Sequence, residues 1–106
     1  MVENIALTEA VYYILLSSFE PMHGYGIMQN VEKLSAGRVR LAAGTLYGAI
    51  NTLLEKHWIE ALPIEENSRK KKYSITDEGK NILDQELKRL RELLRNGEII
   101  IGGTKR

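Results

Sequence analysis

The sequence predicts a mainly α fold with a small β-hairpin and a long amphipathic helix at its C-terminal end. Three observations predict it. Apolar residues return at three- and four-residue intervals in four separate stretches. One region, Trp58 to Thr76, instead holds short β-prone runs on either side of the turn-forming Asn67-Ser68. The last stretch, after Thr76, carries a leucine seam. A chain of 106 residues suffices for one hydrophobic core and is short for two, so a single compact unit is expected.

The elements follow in order. Thr8-Glu9 ahead of Ala10, Val11, Ile14 and Leu15 reads as a capped first helix. Glu20-Pro21-Met22-His23-Gly24 interrupts it, because proline cannot continue the ladder, and a connection is expected there. A second helix follows, with Met28, Val31 and Leu34 on nearly one face and Ser35-Ala36-Gly37 as its stop. Arg38 to Leu41 reads as a brief extended piece. From Thr45 to Lys56, Leu46, Ile50, Leu53 and Leu54 form one stripe, the third helix. Strands are expected within Trp58 to Glu65 and Lys72 to Thr76, with Pro63 suited to an edge position. Thr76 then caps a last helix, whose Asp77 and Glu78 suit the positive end of the helix dipole, running to about Arg95. The remainder, ending in Gly102-Gly103-Thr104-Lys105-Arg106, reads as a frayed tail in which the Ile99-Ile100-Ile101 run has no evident role.

Composition excludes several functions. With 15 Lys and Arg against 14 Asp and Glu the net charge is only +1, so any surface for a polyanion has to be local. The absence of cysteine removes disulfides and thiolate metal sites, and a cytoplasmic location is the expectation. The longest apolar run, Ala10 to Leu16, is far short of a membrane span and no basic leader precedes it, so a soluble, complete chain without a membrane partner is expected. No enzyme is expected either. The two histidines, His23 and His57, lie on different elements, and neither a phosphate-binding glycine loop nor metal-ligand spacing is present. No metal or cofactor is implied.

The order helix, helix, extended piece, helix, hairpin, helix is that of a winged helix-turn-helix, whose third helix enters a DNA major groove with the hairpin beside it. Helix three opens with Gly44-Thr45-Leu46-Tyr47; once Leu46, Ile50 and Leu53 are buried, Gly44, Thr45, Gly48, Asn51, Thr52 and Lys56 remain on other faces and Tyr47 at the border. These are candidate groove residues. Asparagine pairs bidentately with adenine, threonine touches a thymine methyl or a base acceptor, and Gly48 lets the main chain come close. Tyr47 equally reads as a core-packing residue with its hydroxyl in water, and Asn51 as an ordinary exposed one. At the hairpin, Asn67 and Ser68 in the turn and the cations Arg69, Lys70, Lys71 and Lys72 are candidates for a phosphate track. A run of four cations alone is more often solvated surface; its place on a wing gives it weight. Tyr25, at the start of helix two, is a candidate phosphate contact, whereas Gly24 and Gly26 read equally well as aids to a tight turn and close packing.

In the last helix Leu83, Leu87, Leu90 and Leu94 recur at four, three and four residues, a short coiled-coil seam widened by Ile82 and Leu93. A homodimer through this seam is expected, because a twofold pair presents two recognition helices to double-stranded DNA. Residues 1–76 are thus read as the DNA-binding domain, 77–96 as a dimerisation helix of the same compact unit and 97–106 as tail.

With these residues placed, the chain resembles the PadR-like family of transcriptional regulators over nearly all of residues 5–95. The resemblance rests on His23-Gly24-Tyr25-Gly26-Ile27, on Gly44-Thr45-Leu46-Tyr47 with Ile50 and Leu53-Leu54-Glu55, and on Lys72-Tyr73-Ser74-Ile75-Thr76-Asp77-Glu78-Gly79. It implies a winged-helix domain, a C-terminal dimerisation helix of the short form, and usually repression of nearby genes, relieved by small aromatic or lipophilic effectors. An effector pocket would then lie at the dimer interface, lined by Tyr12, Leu15 or Leu87. One departure stands out: the family commonly has glycine just after the third helix, where this chain has His57-Trp58. The competing reading is a winged-helix protein-interaction module that never touches DNA, since the fold alone does not dictate function.

Overall fold

A computed structural model of the chain describes residues 6–64 and 70–102. Its order is α1 (Glu9–Ser17), β1 (Met22–His23), α2 (Gly24–Leu34), α3 (Ala43–Glu55), β2 (Ile59–Ala61), β3 (Lys72–Ile75) and α4 (Asp77–Gly97), the last continued by a π-helical turn, Glu98–Gly102. The mainly helical fold with a small antiparallel sheet is the winged-helix architecture expected.

Three helices start on a side-chain cap. Thr8 Oγ1 accepts the N–H of Val11 (3.1 Å), His23 Nδ1 that of Gly26 (3.1 Å) and Thr76 Oγ1 that of Gly79 (3.0 Å), each satisfying a donor that has no intrahelical partner. α3 differs: Ala42 at its N-cap offers no side-chain acceptor. The C-terminal ends of α2 and α3 are closed by left-handed residues. After α2, Ala36 has φ 53° and Gly37 φ 81°, and the N–H of Gly37 reaches Glu32 O at 2.8 Å. After α3, His57 has φ 61°, its N–H bonds Leu54 O (3.1 Å), and the N–H of Trp58 bonds Leu53 O (3.0 Å). That is the paired closure of a Schellman end, so the family's glycine position is a left-handed one that histidine fills here.

The core gathers Ile14 and Leu15 of α1, Ile27 and Val31 of α2, Leu46, Ile50 and Leu53 of α3, Ile59, Tyr73 and Ile75 of the sheet, and Leu83 of α4. The buried face of α2 therefore runs through Ile27 and Val31; of the stripe expected from sequence, Met28 is half-buried and Leu34 exposed. Adding Leu83 makes the first turns of α4 part of this core rather than a separate layer.

The sheet corrects the expected two-stranded hairpin. Its order is β1-β3-β2, all antiparallel, with Met22 opposite Tyr73, His23 opposite Lys72, and Ile59 opposite Ile75. The segment read as a connection thus supplies the third strand, whereas Arg38 to Leu41 forms no strand. His23 is extended where it caps α2 (φ −78°, ψ 161°), and with Met22 it forms the two-residue strand that pairs with β3. β2 is shorter than expected and ends before Pro63. At the other end, α4 passes Arg95 and stays helical to Gly102 instead of fraying.

Candidate nucleic-acid interface

Burial of Leu46, Ile50 and Leu53 fixes which side of α3 faces out. Gly44, Thr45, Gly48, Asn51 and Thr52 are all exposed, and they fall on one broad face because 44, 48 and 51 recur at four and three residues. Thr52 Oγ1 donates to the carbonyl of Gly48 (3.2 Å), so its hydroxyl proton is already committed. No lysine or arginine lies within Ala43–Glu55. Cations flank α3 instead: Arg38 and Arg40 precede it and Lys56 follows, its Nζ 5.2 Å from the Trp58 ring centre. Arg38 is held by Glu9, with a 2.9 Å hydrogen bond to Oε1, and Arg40 lies 3.8 Å from Glu32. Reading Arg38 to Leu41 only as backbone passed over these two arginines; their alternation beside the third helix was the available signal.

Tyr47 satisfies parts of both of its readings. It is 44% exposed, yet its ring covers the start of α2: a β-carbon on Gly24 would lie 2.6 Å from Tyr47 Cζ and 2.8 Å from Cε1. It also lies near Tyr73 of β3, whose hydroxyl is pushed above the usual tyrosine range first by burial and then by the neighbouring Tyr47. Tyr47 thereby packs over the start of α2 and lies beside β3.

The wing is anchored at that same point. Pairing of β1 with β3 sets Lys72 directly opposite His23, the cap of α2, and the N–H of Leu62 bonds Lys72 O at 2.9 Å. Lys70, Lys71 and Lys72 are exposed. Asn67, Ser68 and Arg69 lie outside the described residues. Tyr25 is exposed in the first turn of α2 and borders a groove of about 660 Å³ with Gln29, Lys33 and Leu41.

The α4 seam divides into two parts. Leu83 is buried within its own chain at 3% exposure, whereas Leu87, Leu90, Leu93 and Leu94 are exposed, Leu94 at 63%, and Ile99, Ile100 and Ile101 extend the apolar surface. The residues suggested for an effector do not converge. Leu15 is fully enclosed in the core, and the cleft that Tyr12 borders, about 270 Å³, is lined also by Leu7, Glu9, Tyr13, Leu90 and the pair Glu86–Arg89, without Leu15 or Leu87. Glu86 accepts two hydrogen bonds from Arg89, both 2.7 Å, and one from the N–H of Leu7 (3.3 Å). The Arg89 hydrogen bonds hold the Glu86 carboxyl below its ordinary range against the opposing effect of burial. Among the described residues no helix is long and apolar enough to cross a membrane.

Three helices around one core, an outward-facing third helix and, tied beside it, a strand that Lys70 to Lys72 lead into define a winged helix-turn-helix protein. The sequence pattern of the transcriptional regulator PadR-like family matches residues 13–85, and the chain belongs to that family, whose members bind DNA. Solved structures agree on the fold. A PadR family transcription regulator from Clostridium difficile superposes with a TM-score of 0.70 at 21% identity, covering 88% of this chain and 97% of that one. A PadR-like transcription factor from Bacteroides fragilis gives 0.69 at 25% identity, covering 86% and 87%. A 37.1 kDa protein of a Streptomyces fradiae transposon is 36% identical over 66 residues, 62% of this chain; the chain spans 18% of that protein's length.

Proposed function

We propose that this chain is a homodimeric, sequence-specific transcriptional repressor that binds a palindromic operator in the cytoplasm and is released by a small aromatic or lipophilic effector. Residues 1–76 serve as the DNA-binding part and 77–96 as the dimerisation helix. The observation that carries this reading is the packing of Tyr47 on Gly24 beside the β1–β3 pair, which sets the exposed face of α3 and Lys72 of β3 relative to each other. Gly44, Thr45, Tyr47, Gly48, Asn51 and Thr52 meet base edges; Tyr25 and Asn67 to Lys72 meet phosphates, which position the protein without reading sequence. The exposed leucines at 87, 90 and 94 pair with those of a second copy. The uncapped start of α3 suits a phosphate, because its first N–H groups are free of a side-chain acceptor.

The test is a binding series on duplexes selected by the protein itself. Lys70→Ala with Lys71→Ala should weaken binding to every duplex and lower the slope of log K against log salt by roughly one per lysine. Asn51→Ala should change which duplexes are preferred, at about 1–3 kcal/mol of discrimination. Salt-independent binding, unaffected by the lysines, would favour a protein-interaction module.

A further inference from the structure

A glycine inside a helix is unfavourable relative to alanine, because it loses more backbone freedom on folding. Several glycines of this chain have a local reason for that cost. A β-carbon at Gly24 would strike the Tyr47 ring, one at Gly26 the Met22 side chain, and one at Gly79 the carbonyl of Trp58. Gly44 and Gly48 have none. Both lie within α3, neither has a positive φ, and nothing is within 4 Å of where their β-carbons would stand. They sit one turn apart on the face opposite Leu46, Ile50 and Leu53, in line with Asn51.

The chemistry of that face narrows what it meets. With no lysine or arginine in α3, the bidentate cation contact to guanine O6 and N7 is missing. The Thr52 hydroxyl proton is committed to the Gly48 carbonyl, so toward a base the side chain presents its methyl and an acceptor oxygen but no donor. The one apolar group that base edges present in the major groove is the thymine 5-methyl.

We propose that Gly44 and Gly48 are specificity determinants of the α3 face. Their missing side chains let the main chain approach the base edges until thymine methyls seat on the bare strip, so that α3 selects A·T pairs by close approach, at the expense of helix stability. This rests on the DNA-binding reading above.

The experiment uses the full chain, its Gly44→Ala and Gly48→Ala variants, a duplex selected by the wild type from a random pool, the same duplex with deoxyuridine for thymidine in the half-sites, and an unrelated duplex. Each variant should melt higher, by about 4–8 °C, since alanine favours the helix and meets open space. Affinity of Gly48→Ala for the selected duplex should fall tenfold or more, with the unrelated duplex bound as before. Removing the thymine methyls should weaken the wild type severalfold and leave Gly48→Ala nearly unaffected, because the variant has already lost that contact. Higher melting with undiminished selected-duplex affinity would overturn the proposal, as would a wild type indifferent to deoxyuridine. A pool that the wild type cannot enrich would instead remove the DNA reading itself, and the proposal with it.

Discussion

Gly79, in the first turn of α4, lies flat against the backbone carbonyl of Trp58: a β-carbon there would come 2.7 Å from Ile75 Cγ1 and 3.0 Å from the Trp58 carbonyl carbon. The neighbouring Thr76 completes the joint. Its hydroxyl donates to His57 O at 2.6 Å and its N–H to Trp58 O at 3.0 Å. The end of α3 is thus welded to the start of α4.

Gly79→Ala should therefore cost about 2–4 kcal/mol, because the obstacle is main chain and the joint has to open. Gly24→Ala meets only the outer end of the half-exposed Tyr47 ring, which can swing away, and should cost about 1 kcal/mol. Urea denaturation of both variants checks the order; equal losses would mean that the α3–α4 joint yields as easily as a side chain.

His57→Gly should stabilise the fold by about 1 kcal/mol, since a left-handed residue with a β-carbon costs roughly that much relative to glycine. The measurement is the melting temperature at neutral pH. No change, or a loss, would show that the imidazole makes up for its backbone conformation.

Much of this joint was unreadable from sequence, and the reasons are physical. Periodicity fixes a helix's buried side when the stripe is long, as for Leu46, Ile50 and Leu53; it located all four helices and the outward face of α3. The two-residue β1 carries no periodicity. Its pairing depends on β3 arriving from fifty residues away, so Met22-His23 read as a connection. The face of α2 was misjudged for a related reason: Met28 and Leu34 match the template as well as Ile27 does, and only packing against α1 decides between them. The leucine seam could be counted from sequence, but which leucine the chain keeps for itself, Leu83, depends on where α4 docks.

Glu86 should make stability depend on acid pH. Its folded-state pKa is depressed, first through its hydrogen bonds with Arg89, so its contribution is complete above the unfolded carboxylate value of about 4.3 and is lost as pH falls through the lower folded value. Glu86→Ala leaves the Leu7 N–H without its acceptor and should cost about 1–3 kcal/mol at pH 7. Unfolding free energies from pH 7 down to pH 3 should converge for the two proteins. Parallel curves would remove Glu86 as the source of the acid dependence.

Leu87→Glu combined with Leu90→Glu should give a monomer by sedimentation while retaining the helical circular dichroism of the fold, because both side chains are already exposed in the single chain. A dimer that survives the double substitution would place the interface elsewhere.

The most direct test of the central claim, that α3 reads DNA as half of a twofold pair, is selection of duplexes bound by the full chain from a random-sequence pool. The expected product is an inverted repeat whose half-sites are spaced by one helical turn, ~10 base pairs, or a multiple of it. An unenriched pool, or a motif without twofold symmetry, would contradict it.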